Sequence, residues 1–145
     1  MEEIDKVWLA CAIDCEGTIG MLIRSETLKK KPNLPRSSPS MYIGIANTSY
    51  PLIYRAAELL DTGIAKPYSR GNSKPVYVTK LARNDDVCNI LTEVKDYLIV
   101  KKEQAELAIL FCKMKKTSTK EQLLSSETYK IITGRISLLN KRGKV

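Results

Sequence analysis

Apolar residues near the start of the chain follow the i, i+3, i+4 spacing of one helix face, and they are Ile4, Val7, Trp8, Cys11 and Ala12. This pattern predicts an amphipathic helix, which should stop near Gly17 because glycine weakens a helix. Residues 18–24 are rich in β-branched and apolar side chains, and residues 41–46 alternate bulky with small side chains. Both segments are therefore predicted to be strands.

Residues 49–81 predict a helix followed by a β-hairpin. Ser49 is a favourable residue at the start of a helix, and the helix is expected to reach about Leu60. Residues 64–70 and 76–81 then form two strand-like runs on either side of the glycine-containing turn 71–74. The hairpin adds a third and a fourth strand to the predicted sheet.

The last third of the chain predicts three helices. Polar and acidic residues at 84–86 favour the start of a helix that reaches about residue 97. Further helices are predicted over residues 99–115 and 119–140. The basic residues 27–40, with their prolines and serines, are predicted to form a loop or a long hairpin connection. The order α-β-β-α-β-β-α-α-α places the protein in the α+β class.

Length and charge narrow the class of function. The 145 residues suit a single domain, 1–145, with a core of its own. Lysine and arginine exceed the acidic residues by 24 to 16, which gives a net charge of +8. A small domain of this charge is expected to attract polyanions, of which nucleic acid is favoured over a merely soluble basic protein.

The residue types that are missing exclude several chemistries. The chain contains no histidine, which excludes Ser–His–Asp triads, Cys–His proteases and histidine-based nucleases. Its four cysteines form no C-x-x-C pair, so reduced thiols rather than a zinc site are expected. No secretory leader and no apolar run of membrane length is evident, so a soluble intracellular protein is expected.

Two acids at the end of the first helix form the most informative segment. Asp14 and Glu16 stand among apolar residues directly before Gly17. Negative charge at a helix C-terminus opposes the helix dipole, so these acids cost stability unless a cation pairs with them. A divalent metal is one partner that hard oxygen ligands suit. The residues themselves are also consistent with a second interpretation, in which the two acids cap neighbouring backbone groups or face water.

Residues 9–17, with the sequence LACAIDCEG, resemble the LAGLIDADG motif of homing endonucleases. Residues 43–48 resemble the second strand of that family and its exit, and residues 98–107 resemble the segment near the end of its domain. The resemblance covers about residues 5–115, and it leaves residues 119–141 as a C-terminal helical extension. It implies an α-β-β-α-β-β-α core with an antiparallel, saddle-shaped sheet.

The resemblance implies a metal-dependent double-strand DNA endonuclease, of the kind that introns or inteins encode. Glu16 matches the motif acid that binds the catalytic Mg²⁺, which Mn²⁺ is expected to replace. Asp14 and Gly17 match the other positions near the metal, with Asp14 in a secondary role at the helix end. Lys101 matches the basic residue near the site, and Asn47 matches a polar position that places water.

A single motif implies a homodimer, because one chain supplies one acid and cutting two strands needs two. The motif helices would meet at a two-fold axis, and the residues expected at this interface are Trp8, Leu9, Cys11, Ala12 and Cys15. Cys11 departs from the family, which usually has glycine there, so the thiol is expected to widen the contact. Two-fold symmetry implies a near-palindromic DNA site.

Strand alternation predicts the surface that reads DNA. A polar, basic face suits a β-ribbon in the major groove, where arginine can read guanine, while loop lysines contact phosphates. The residues predicted to contact DNA are Arg24, Glu26, Lys29, Lys30, Lys31, Arg36, Tyr42, Lys66, Tyr68, Arg70, Lys74, Tyr77 and Thr79. In this prediction Tyr77 and Thr79 lie on the face opposite Val76 and Val78.

Two other functions remain open at this stage. The same fold could serve an RNA maturase or a DNA-binding regulator that does not cut. The presence of Glu16 favours the enzyme, since a pure binder has no need for a costly acid near phosphates. Glu93 and Lys95 with Asp85 also mimic a restriction-type pattern, but they fall on a predicted helix rather than on paired strands.

Overall fold

Three antiparallel strands and six α-helices are present in the part of the chain that the computed structural model describes, residues 1–22 and 38–141. In chain order the elements are α1 (Glu3–Glu16), β1 (Gly17–Leu22), β2 (Ser40–Asn47), α2 (Tyr50–Leu60), β3 (Tyr77–Leu81), α3 (Asn84–Val94), a 3₁₀ turn (Lys95–Tyr97), α4 (Lys102–Thr117), α5 (Lys120–Ser125) and α6 (Glu127–Asn140).

The sheet has the order β1-β2-β3, and its register separates two faces. Ile19 lies opposite Ile43, which lies opposite Leu81, and all three side chains are buried. Residues that pair across strands share a face, so this row marks the side of the sheet that packs on the helices. Tyr42 and Lys80, at the alternate positions, lie on the other side, which we call the open sheet face.

The hydrophobic core joins the core side of the sheet to all six helices. Its largest buried side chains include Leu9, Ile13, Ile53, Leu91 and Phe111, and residues of the last two helices, Leu123, Ile132 and Ile136, belong to the same cluster. The mixed α+β architecture predicted from the sequence is confirmed. In the described residues, no helix has the length and apolar character needed to cross a membrane.

The C-terminal extension is two helices rather than the single helix predicted over 119–140. Thr119 begins α5 with a capping box, in which its hydroxyl accepts a hydrogen bond from Gln122 N–H and Gln122 Oε1 accepts one from Thr119 N–H. Ser126 is extended, and it ends α5 and begins α6. Serine favours such a boundary because its side chain competes for backbone hydrogen bonds.

The first arm of the predicted hairpin, residues 64–70, is not a regular strand. It makes two isolated bridges to the second arm, Ile64 opposite Thr79 and Tyr68 opposite Val76. The two bridges are out of register by one residue, and Pro67, which has no N–H to donate, lies between them. Among the described residues the sheet therefore has three strands instead of four.

Candidate active site

Helix α1 passes into β1 without a loop, and Gly17 makes this possible. The Gly17 N–H donates to Ile13 O as the last bond of the helix. A Cβ at Gly17 would lie 2.7 Å from Ile13 Cα and 2.8 Å from Ile13 O, so any other residue would collide with backbone. Gly17 therefore places Glu16 at the junction of helix and sheet. The predicted contact of Gly17 with a metal stays a prediction.

Asp14 is tied to the segment that leads into α4. One carboxylate oxygen accepts from Ile99 N–H at 2.7 Å, and the other accepts from Val100 N–H at 3.2 Å and Lys101 N–H at 2.9 Å. Partial burial acts to raise the pKa of Asp14, but these N–H donors and the Lys101 charge outweigh it and lower the pKa. Asp14 thus ties the end of α1 to the segment before α4, and its predicted part in metal binding stays a prediction.

Lys101 lies at the same junction. Its side chain is buried, and its Nζ donates to Asp14 O at 2.6 Å, one of the carbonyls that the end of α1 leaves without a helical partner. A cation at a helix C-terminus is favourable, because the dipole there is negative. The contact therefore holds a positive charge beside the motif acids.

Glu16, Gly17 and Lys101 line one open cavity of about 270 Å³, together with Cys15, Thr18 and Asn140. The Glu16 side chain is exposed, whereas Asp14 is half-buried and bonded to backbone. Of the two motif acids, Glu16 is thus the one that faces solvent at this cavity. The structure brings together three of the residues that sequence reasoning assigned to the site.

The structure does not bring Asn47 to this cavity. Asn47 ends β2 on the side of the sheet that carries Ile45, and its Oδ1 accepts from Ser49 N–H at 2.8 Å to start α2. Asn140 takes a place at the cavity instead, and sequence reasoning missed it. No local signal marks Asn140, because only the packing of α6 on the core brings it there.

The donor set suits a hard cation that keeps most of its water. No group of three acidic or cysteine side chains that could hold a metal exists in residues 1–22 and 38–141. Mg²⁺ is usually held by one or two carboxylates plus substrate phosphates and water, rather than by a closed protein cage. One exposed carboxylate in an open polar cavity fits that pattern, with the remaining ligands supplied from outside the chain.

The predicted dimer face of α1 needs correction. Leu9 is 0% exposed and Ala12 is buried, so both pack inside the protomer. The side chains that α1 leaves exposed at helical spacing are Ile4, Val7, Cys11 and Cys15, which we call the α1 stripe. Their spacing of three and four residues makes one continuous face, and the half-buried Trp8 adjoins it.

Two further features extend the apolar character of the α1 stripe. Ile99 is 89% exposed and Val100 is 52% exposed, in the segment that the Asp14 carboxylate ties to α1. The Cys15 thiol has a raised pKa, first through its hydrogen bond with Cys11. The thiol therefore stays neutral near pH 7 and behaves as an apolar group.

The faces of β3 are the reverse of those predicted. Thr79 is 0% exposed and donates to Gly63 O at 3.0 Å, while Tyr77 packs edge-on against Tyr50 on the helix side. Neither reaches the open sheet face, so their predicted DNA contacts are withdrawn. Lys80, which the prediction omitted, is exposed there. Pairing would have revealed this, because Ile45 is a core residue and lies opposite Thr79.

Tyr42 lies on the open sheet face as part of a small aromatic and cationic group. The Lys80 Nζ is 4.2 Å from the centroid of its ring. The ring covers Gly20, where a Cβ would come within 2.9 Å of ring carbon Cε1. The Tyr42 ring therefore contacts Gly20 of the neighbouring strand and has the Lys80 ammonium group over it.

The remaining residues predicted to contact DNA fall into two groups. Lys66, Tyr68, Arg70 and Lys74 are exposed in and beside the irregular arm, and Ser73 Oγ closes the turn by donating to Arg70 O. The others lie outside the described residues, and they are Arg24, Glu26, Lys29, Lys30, Lys31 and Arg36.

Comparison with known proteins adds a fold to this geometry. No protein-family model and no curated protein matches the sequence. Among solved structures, the homing endonuclease I-CvuI, in complex with a DNA target and 2 mM Mg, matches with a TM-score of 0.74 at 20% identity, over 99% of this chain and 86% of that one. The archaeal intron-encoded homing endonuclease I-Vdi141I, complexed with DNA, matches with a TM-score of 0.71 at 14% identity, over 99% and 88%.

A third match sets this chain against part of a longer one. The LAGLIDADG meganuclease I-AabMI, bound to uncleaved DNA, matches with a TM-score of 0.60 at 16% identity. The match covers 90% of this chain and 43% of that chain. The chain described here has the fold of the LAGLIDADG homing endonucleases, the family whose motif residues 9–17 resemble.

Proposed function

We propose that this protein is a sequence-specific, divalent-metal-dependent DNA endonuclease that acts as a homodimer and cuts both strands. The observation that carries the proposal is the cavity at the end of α1, where the exposed Glu16 carboxylate lies beside the buried Lys101. An acid exposed next to a phosphate-binding surface weakens DNA binding unless a metal uses it. A protein that only bound DNA would have no use for it.

Each residue of the cavity is given a separate role. A bound Mg²⁺ would lower the pKa of the attacking water and stabilise negative charge at the phosphate. Glu16 would hold that ion, with Gly17 keeping the helix end close to the strand. Lys101, fixed through Asp14 O, would offset the negative charge of the scissile phosphate and polarise the water around it.

The α1 stripe supports assembly into a homodimer. A helix face that exposes Ile4, Val7 and two cysteines is more apolar than a solvated helix face, and its last residue, Cys15, lines the cavity that holds Glu16. Two copies related by a two-fold axis along the α1 stripes would bring two Glu16 cavities together. The 43% coverage of I-AabMI leaves room in that chain for a second unit of equal size, whereas the 86% coverage of I-CvuI does not.

Val7→Glu is expected to convert the dimer to a monomer, because it places a charge in the centre of the α1 stripe. We expect the dimer dissociation constant to rise by at least about tenfold, as desolvating an unpaired carboxylate costs more than 1.4 kcal/mol. Sedimentation equilibrium measures this shift. Ile131→Glu is the matched control, since Ile131 is an exposed apolar residue of α6. A Val7→Glu protein that stays dimeric would place the interface elsewhere.

The open sheet face would carry the DNA. Lys80 and Tyr42 lie on it, and the exposed Lys66, Arg70 and Lys74 adjoin it. A lysine above an aromatic ring is suited to phosphate contact, and the polar ring to a base edge or a sugar.

Lys80→Ala is expected to weaken DNA binding about tenfold at moderate salt and to reduce the slope of log affinity against log salt by about one per protomer. Fluorescence anisotropy on one DNA site at several salt concentrations gives both values. Lys113→Ala removes the same charge from an exposed position on α4 and should change neither. Equal losses in the two variants would show a general charge effect and not a contact.

Selection of cleaved duplexes from a randomised DNA library, with Mg²⁺ and with EDTA, tests the proposed function. Enrichment of near-palindromic cut sites only with Mg²⁺ is the expected result. Retention of symmetric sites without any cleavage would point to a DNA-binding regulator. If the protein neither cleaves nor retains any DNA of the library, the DNA assignment is overturned, and RNA becomes the next partner to test.

A further inference from the structure

The last residue of α6 reaches back to the start of the sheet. Asn140 Nδ2 donates to Ile19 O at 2.9 Å, across a separation of 121 residues in sequence. Within the described residues β1 pairs only with β2, so it is an edge strand, and Asn140 bonds to it through this carbonyl. Ile19 is the third residue after Glu16, with Gly17 and Thr18 between them.

The position of Asn140 follows from packing along the whole of α6. Ile132 and Ile136 are buried in the core, one turn apart on the same face. Arg135 binds Glu103 of α4 through two hydrogen bonds, Nε to Oε1 at 2.6 Å and an Nη to Oε2 at 3.2 Å. The end of the helix is therefore held at a defined place, and Asn140 is carried there by elements remote from the motif.

Asn140 also lines the cavity that holds Glu16 and Lys101. The walls of that cavity thus come from three distant parts of the chain: the α1–β1 junction, the start of α4 and the end of α6. The amide bonds the backbone immediately after the junction, so it fixes one wall of the cavity against another.

We propose that Asn140 is a positioning residue of the endonuclease site, which holds the β1 backbone after Glu16 so that this carboxylate stays in place for metal and phosphate. The proposal rests on the proposed function. It makes the C-terminal helix a part of the site, not an appendage. An amide suits this task because it donates to the carbonyl without adding charge beside Glu16.

Single-turnover cleavage at saturating enzyme tests the proposal with the full chain and its selected DNA site. Asn140→Ala is expected to slow the cleavage step by about tenfold to a hundredfold, the effect of a reacting group misplaced by about 1 Å. DNA affinity measured in Ca²⁺ should stay within about twofold, and Tm should fall by no more than about 4 °C, since water can replace a donor at a strand edge.

Two further variants separate positioning from general structure. Asn140→Asp keeps the shape but has no N–H to donate at neutral pH, so it should slow cleavage at least as much as Asn140→Ala. Ser137→Ala, one turn earlier on α6 and outside the Glu16 cavity, should cleave like the wild type. Cleavage by both Asn140 variants at the wild-type rate would overturn the proposal. So would a loss of DNA affinity in these variants as large as their loss of cleavage rate.

A spectroscopic readout is independent of turnover. In ¹⁵N-labelled protein bound to DNA, Mn²⁺ should broaden the side-chain amide signal of Asn140, and Glu16→Gln should restore it. An unbroadened Asn140 signal beside broadened signals from the α1–β1 junction would also overturn the proposal. A wild-type protein that cuts no DNA would instead be a failure of the proposed function, which the library selection detects separately.

Discussion

Glu16→Gln is expected to abolish DNA cleavage and to leave DNA binding intact. The substitution keeps the size of an exposed side chain at the cavity and removes only its charge. A neutral amide is a poor ligand for Mg²⁺, so the protein loses the metal's contribution of several kcal/mol to the transition state. Each 1.36 kcal/mol is a factor of ten, so a fall of about a thousandfold or more in the cleavage rate follows.

The measurement is single-turnover cleavage of one selected duplex, with DNA affinity determined in parallel. Glu106→Gln is the control, because Glu106 is an exposed acid of α4 that is not among the residues lining the cavity. A Glu16→Gln protein that cuts within tenfold of the wild type would remove the acid from the mechanism. Loss of DNA binding together with cleavage would assign Glu16 a role in folding or assembly instead.

The local parts of the site could be predicted from the sequence because their causes are local. The spacing of apolar residues predicts α1, and Gly17 marks its end, where the close approach of Ile13 backbone demands a glycine. The two acids of the motif have different environments, which the residues alone did not separate. The structure does so: three backbone N–H groups bind Asp14, while Glu16 is exposed.

The parts that depend on tertiary contacts could not be predicted in this way. Alternation along β3 divides its residues into two sets, but it does not say which set faces the helices. The apolar side chains of Val76 and Val78 favoured placing their set against the helices. The pairing of Thr79 with Ile45 places the set of Thr79 there instead. The place of Asn140 depends on how α6 packs on α4, and no spacing near residue 140 reports that contact.

Asp14→Asn is expected to destabilise the protein by about 3 kcal/mol, because hydrogen bonds to a charged acceptor are each worth about 1.5–3 kcal/mol. In the wild type, Oδ1 accepts from Val100 and Lys101 N–H, and Oδ2 accepts from Ile99 N–H at 2.7 Å. An asparagine that keeps its oxygen at the first position turns its NH₂ group toward the Ile99 N–H, so two donors face each other. The hydrogen bond from Ile99 N–H is lost, and the hydrogen bonds from Val100 N–H and Lys101 N–H then go to a neutral acceptor instead of a charged one.

Urea unfolding at a series of pH values checks this result and identifies its cause. The pKa of Asp14 is lowered in the folded state, so its contribution to stability is complete above the unfolded pKa, near 4, and is lost as the pH falls through the folded pKa. The difference in unfolding free energy between wild type and Asp14→Asn should therefore be constant from about pH 6 to 8 and shrink below about pH 4. Asp96→Asn, an acid in the 3₁₀ turn just before this segment, serves as the control. A difference that does not change with pH would mean that the carboxylate charge is not what holds residues 99–101 against α1.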